Sequence, residues 1–223
     1  MRRPARAVWP TRILIGSDPV RRAIYLVGML PAGWALYRGL TDQLGADPLN
    51  TLERLLGLWA LRFLIVCLAI TPLRRLGGPN LLRYRRTIGL LAFYYALLHL
   101  TVYVVLDQGL DLAAVWADII KRPYITIGMV AFAILVPLAV TSNNAMIRRL
   151  GGAAWARLHR WVYVAAAAAA VHFVMVVKAW PPEPLVYAAL VSTLLLYRAV
   201  AYLHKQASKG AGPARRPLRA RSV

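Results

Sequence analysis

Six stretches of the chain, at about 23–40, 55–73, 87–106, 124–141, 158–177 and 185–204, are each apolar for close to twenty residues. A helix needs about 20 such residues to cross roughly 30 Å of hydrocarbon. With no water at that depth, every backbone N–H and C=O must find its partner within its own segment. Together these requirements predict an all-α membrane protein, a six-helix transmembrane bundle. Gly28, Pro31 and Gly33 interrupt the first stretch, which membrane helices tolerate better than soluble ones. Trp34, Tyr37, Tyr84, Tyr103, Tyr124, Trp155, Trp161 and Trp180 lie near the ends, where interfacial aromatic anchors belong. Composition agrees, with 60% of the 223 residues hydrophobic, only 16% charged, and a mean hydropathy of +0.54.

The net charge of +20 is also what a nucleic-acid-binding chain shows. Here, however, the Lys and Arg residues cluster in short segments between apolar runs, as in cytoplasmic loops of membrane proteins. With the N-terminus inside, every Lys and Arg falls on the inner side except six. Arg38, Arg54, Lys121, Arg122 and Lys178 lie outside, and Arg62 lies within a span. Among the acidic residues only Asp18 is inside, whereas Asp42, Asp47, Glu53, Asp107, Asp111, Asp118 and Glu183 are outside. The asymmetry predicts N-in, C-in orientation.

Residues 1–22 are expected to form a basic cytoplasmic tail, 23–204 the six-span domain, and 205–223 a disordered basic cytoplasmic tail. No cleavable export signal follows Arg2 and Arg3. Residues 110–120 (LDLAAVWADII) have near-helical apolar spacing and are expected to lie as an amphipathic helix on the outer surface. Neither an internal repeat nor a second domain is visible.

The single cysteine, Cys67, excludes an intrachain disulfide, and no CxxC or CxxCH motif is present for zinc, iron–sulfur or covalent haem. The histidines carry the chemistry. His99 lies thirteen residues beyond Arg86 and His172 thirteen beyond His159, so each stands about 20 Å above the inner surface, on spans three and five. A neutral His hydrogen-bonded between helices is one reading of each. Two imidazoles at one depth on facing helices are also what a six-coordinate b-type haem requires, and bis-His ligation favours electron transfer over ligand chemistry. A non-haem metal calls for additional ligands, and no carboxylate lies at that depth. The haem is therefore expected between helices 3 and 5.

Other features leave alternatives open. The six alanines 165–170 either let a flat porphyrin approach or simply pack helices. Thirteen positions turn a helix about 140° off its starting face, so His159 and His172 do not share one stripe. At the depth of His159, span three offers only Arg85 and Arg86; His204 is either its partner or an interfacial His beside Lys205. Arg62, deep in span two, calls for an anion such as a haem propionate, unless it snorkels to the interface.

The segments GLWALRFL (57–64), TPLRRLGG (71–78), RRTIGLLAFYYALLH (85–99), KRPYITIG (121–128) and LAVTSNNAMIRRLGGAAWARLHRWVY (138–163), in this order and with this His spacing, resemble the MsrQ (YedZ) family. These are haem-binding membrane subunits within the wider ferric-reductase-like transmembrane superfamily. The resemblance covers about 23–204. It implies one or two b-type haems held by His99, His159 and His172, and FMN as a further cofactor. It also implies electrons taken from the quinone pool or a cytoplasmic flavin reductase. The implied acceptor is a periplasmic molybdenum-containing subunit that reduces methionine sulfoxide in oxidised periplasmic proteins. A bacterial inner-membrane location and a heterodimer with that subunit follow. The wider superfamily has two ligands on span three, where this chain has only His99.

Two other functions stand beside this one. A ferric-reductase or oxidase-type domain would serve another acceptor but usually carries a fused flavin and nicotinamide domain. A small transporter would show broken paired helices and polar midplane residues, whereas the midplane here holds little beyond His and one Arg.

Overall fold

The computed structural model describes residues 18–177 and 181–210, all of it helix and connecting turns. In chain order come α1 (Pro19–Leu40), α2 (Pro48–Arg75), α3 (Arg85–Thr101), α4 (Leu112–Lys121), α5 (Pro123–Val140), α6 (Asn144–Leu150), α7 (Gly152–Leu158), α8 (Val162–Val176) and α9 (Pro182–Gly210). A 3₁₀ turn, Leu82–Tyr84, leads into α3, and a π-helical turn, Val102–Asp107, continues it. Another 3₁₀ turn, His159–Trp161, joins α7 to α8.

Local sequence sets the helix starts. Asp18 and Asp47 each accept a hydrogen bond from a first-turn N–H, and each is followed by a proline at the first helical position. Asp111 caps α4 in the same way, and Asn143 caps α6. Gly151, at φ +77°, takes the left-handed turn that separates α6 from α7.

Five helical stretches are long and apolar enough to cross a membrane: Pro48–Arg75, Leu82–Asp107, Pro123–Val140, Gly152–Val176 and Pro182–Ser208. The first of the six expected stretches also folds as a helix, α1, with the length of a span. Its apolar run is diluted by Gly28, Pro31, Gly33 and Arg38, and it stands apart from those five. At the other end α9 continues to Gly210, past the boundary expected after His204. Of the expected tails, 1–22 and 205–223, residues 1–17 and 211–223 lie outside the described residues. α4 forms where an amphipathic surface helix was expected, with Leu112, Trp116 and Ile120 exposed along one face.

α2 packs most extensively on α3, and α5 on α8, while α9 closes against α8 and α2. α3 and α8 face each other with little direct packing. The cores are small and layered. Leu61 and Leu68 of α2 meet Ala166 and Ala170 of α8 and Val191 of α9, and Leu64, Ala92, Leu135 and Ala165 form a second layer. Three of the six alanines thus serve close helix packing, which is the helix-packing reading of that run.

Tyr95 ties α1 to this frame. Fully buried on α3, it donates its hydroxyl to the Gly28 carbonyl (2.7 Å) and accepts from the Ala32 N–H (2.9 Å). Those two groups would otherwise bond to each other across one turn of α1, so the hydroxyl is inserted into the helix ladder. A Cβ at Gly28 would stand 2.5 Å from the Leu91 side chain, so glycine is what lets α1 come this close. Tyr95→Phe is expected to cost about 1–3 kcal/mol by leaving buried backbone groups without their bridge. Denaturant unfolding in detergent checks it, with half-exposed Tyr94→Phe as the neutral comparison.

Candidate functional site

The site lies at the end of the bundle where α2 and α5 begin and α3 and α8 finish. His99 of α3 and His172 of α8 face each other there, with ring centres 6.3 Å apart and ring planes at 70°. His99 Nδ1 lies 2.9 Å from the Glu53 carbonyl oxygen of α2, and His172 Nδ1 lies 2.7 Å from the Tyr124 carbonyl oxygen of α5. A carbonyl oxygen only accepts, so in a neutral ring the proton sits on Nδ1 and the lone pair on Nε2. Neither Nε2 has a hydrogen-bond partner among the described residues.

Backbone glycines complete both supports. The carbonyl that holds His99 belongs to Glu53, and Gly57 follows one turn later; a Cβ there would lie 3.3 Å from His99 Nδ1. The carbonyl that holds His172 belongs to Tyr124, and Gly128 follows one turn later; a Cβ there would lie 2.8 Å from His172 Nδ1. Each imidazole therefore lies against bare backbone on the neighbouring helix and bonds to the turn before it. The two halves of the site are built alike although the chain shows no sequence repeat.

This geometry fits an axially ligated haem. A metal–imidazole bond of about 2.0 Å, plus roughly 1.1 Å from nitrogen to ring centre, puts two axial imidazole centres about 6.2 Å apart. No cluster of three or more His, Cys, Asp or Glu able to hold a metal ion exists among the described residues. A haem would need only two protein ligands because the porphyrin supplies the rest.

The remaining candidates are placed as follows. Arg62 donates from Nε to the Tyr187 hydroxyl (2.8 Å), and its guanidinium stacks over the rings of Trp59 (4.8 Å) and Tyr187 (5.7 Å). His159 is not in the pair. It sits on the 3₁₀ turn below α8, stacked on Trp155 at 3.8 Å, with Nδ1 3.0 Å from the Trp155 carbonyl oxygen. Its Nε2 lies 3.2 Å from the Leu138 carbonyl oxygen and 3.4 Å from Ser142 Oγ. That turn also accounts for the angular mismatch with His172, because the segment between them is not one continuous α-helix. His204 is exposed on α9 and makes no hydrogen bond among the described residues; the structure does not bring it to His159.

One residue that the charge count placed on the inner side lies inside the bundle. Arg198, half-buried on α9, donates to the Tyr163 hydroxyl and to the Leu68 carbonyl, each at 2.8 Å. Its place within the sixth apolar stretch was the available signal.

Comparison with known proteins matches residues 56–182 to the ferric reductase like transmembrane component family. The chain is 62% identical over 175 residues to the protein-methionine-sulfoxide reductase heme-binding subunit MsrQ of Brucella ovis, covering 78% of this chain and 79% of that protein. The subunits of the same name from Brucella canis and Brucella suis match to the same extent.

Proposed function

The chain belongs to the MsrQ family of haem-binding subunits, multi-pass membrane proteins with a ferric-reductase-like transmembrane domain, and on that premise we propose that His99 and His172 hold a b-type haem that carries electrons to an acceptor outside the membrane. The observation that supports this most is the pair of imidazoles with ring centres 6.3 Å apart, each bonded through Nδ1 to a backbone carbonyl and each with an Nε2 that has no hydrogen-bond partner among the described residues. Bound there, the haem would supply one-electron redox chemistry. The protein fixes both tautomers and orients both rings.

The chain is an electron-transfer subunit rather than the catalyst. We place α1 as the sixth span, with both termini inside the bacterial inner membrane. Electrons enter from the quinone pool or from a cytoplasmic flavin reductase, with FMN as a further cofactor by family resemblance. They leave to a periplasmic molybdenum-containing subunit that reduces methionine sulfoxide in oxidised proteins. Arg62 would pair with a haem propionate; its Nε is held by Tyr187, which leaves the terminal nitrogens to donate. A second haem on His159, with His204 as its other ligand, would require His159 Nε2 to leave the Leu138 carbonyl and His204 to be brought to it from the exposed face of α9. We therefore assign the spectrum to the upper pair.

The test is a dithionite-reduced minus oxidised absorption spectrum of the purified protein, with haem quantified against protein. A bis-His b-type spectrum is expected, and a flat spectrum after expression with ample haem overturns the proposal. His159→Ala is expected to leave that spectrum largely intact. Equal haem loss from His99→Ala, His159→Ala and His172→Ala would refute the assignment of the pair. Reoxidation of the reduced protein by the molybdenum subunit, against ferric chelates, separates this acceptor from a ferric-reductase role.

A further inference from the structure

We propose that Arg85, Arg198 and Tyr163 form a binding site for a phosphate group at the end of the bundle opposite the histidine pair. Along α3, Arg85 lies fourteen residues before His99, which is about 21 Å. Arg198 points into the bundle between α2, α8 and α9. Its two terminal nitrogens donate to Tyr163 and Leu68, its guanidinium lies 4.9 Å from the Tyr163 ring centre, and its Nε is buried with no partner. Arg85, the first residue of α3, lies beside the same Tyr163 hydroxyl and the Cys67 thiol, within electrostatic range of Arg198. Arg86 follows it and donates to Asn144 Oδ1 at 2.7 Å.

What this cluster lacks is a counter-ion. All eight carboxylates of the chain fall within the described residues. Ion pairs among those residues involve only Arg21 with Asp18, Arg54 with Glu183, and Arg122 with Asp118. Every acidic residue except Asp18 lies at or beyond the opposite end of the helices. Two guanidiniums half-buried side by side repel each other and have lost water, a cost that an anion between them removes.

The donor geometry selects the anion. The Tyr163 oxygen accepts from Arg198, so its own proton remains available to donate. Arg85, Tyr163 and Arg198 converge from α3, α8 and α9. One planar fork satisfies a carboxylate, whereas donors converging from three helices match the tetrahedral oxygens of a phosphate. The phosphate comes either from a phospholipid headgroup or from a soluble phosphate or phosphate ester, and the same residues would hold both.

The full chain, purified in a phosphate-free maltoside detergent, distinguishes the sources by its melting temperature read from tryptophan fluorescence. The probes are inorganic phosphate, dioleoyl phosphatidylglycerol, and a phosphate-free galactolipid as the reference. At about a hundredfold excess over Kd the wild type is expected to gain on the order of 5 °C over the reference. Arg85→Gln and Arg198→Gln should each weaken the apparent affinity about tenfold, while exposed Arg157→Gln leaves it unchanged. A shift with inorganic phosphate assigns the soluble source, and a shift with phosphatidylglycerol alone assigns the lipid. If a glutamine variant does not fold, phosphorus analysis and equilibrium dialysis of labelled phosphate on the wild type decide. No saturable phosphorus per chain, no shift over the galactolipid, or equal shifts in wild type and variants would overturn the proposal.

Discussion

His99→Ala and His172→Ala are each expected to abolish the low-spin b-type spectrum. Each removes one of the two paired imidazoles, and no other side chain among the described residues is placed to substitute: Cys67 bonds toward the Arg85 carbonyl, and His159 is turned to Leu138 and Trp155. Loss of a group that merely supports a metal ligand typically weakens metal binding by about 10- to 100-fold, and loss of the ligand itself costs more. Haem per protein should therefore fall by at least about tenfold, with any remainder showing a broad five-coordinate spectrum. Added imidazole is expected to restore part of the sharp spectrum, because the space beside Gly57 or Gly128 is left at the size of the missing ring. Full haem retention with an unchanged spectrum would show that the pair is structural.

Gly128→Ala is the second large effect, though it alters no polar group. The added Cβ would sit 2.8 Å from His172 Nδ1 and 3.0 Å from Cε1, and the same ring is held at 2.7 Å by the Tyr124 carbonyl. The ring cannot retreat without losing that bond, and with the bond goes the choice of tautomer that presents Nε2. A loss of about 10- to 100-fold in haem affinity is expected, the range typical of supporting groups. Gly57→Ala should do the same more mildly, because its Cβ would lie 3.3 Å from His99 Nδ1, where a shift of a few tenths of an ångström suffices. Haem titration of the two apo-variants gives the order. An unchanged affinity in Gly128→Ala would mean that His172 does not ligate from this position.

Much of this was legible before any coordinates. Apolar run length located the helices, and counting 1.5 Å per residue brought His99 and His172 to one level because both helices run the same way through the same slab. The supports were not legible. Glu53 and Tyr124 act through backbone carbonyls, which carry no residue signature, and Gly57 and Gly128 matter only through which faces of α2 and α3, and of α5 and α8, meet. The angular mismatch of His159 with His172 came from assuming one unbroken helix, whereas a 3₁₀ turn between α7 and α8 resets the phase. Arg198 was counted with the inner-side charges, while the fold draws it inward to Tyr163. α1 was read as one span among six; Gly28, one of the small residues that dilute it, is where Tyr95 enters its ladder, through the Gly28 carbonyl and the Ala32 N–H.

The paired supports bear on how fast charge can move. An electron arriving at a metal centre must wait for its surroundings to rearrange, and freely rotating ligands make that wait long. Here each ring is fastened to one helix, leans on the bare backbone of the next, and is barred from swinging by it. The soft coordinate left to the centre is the spacing between two rigid helix pairs, α2 with α3 and α5 with α8. On the proposed ligation, the redox poise would depend on how the bundle is assembled, and a partner or lipid pressing those pairs together or apart would tune it without touching either histidine.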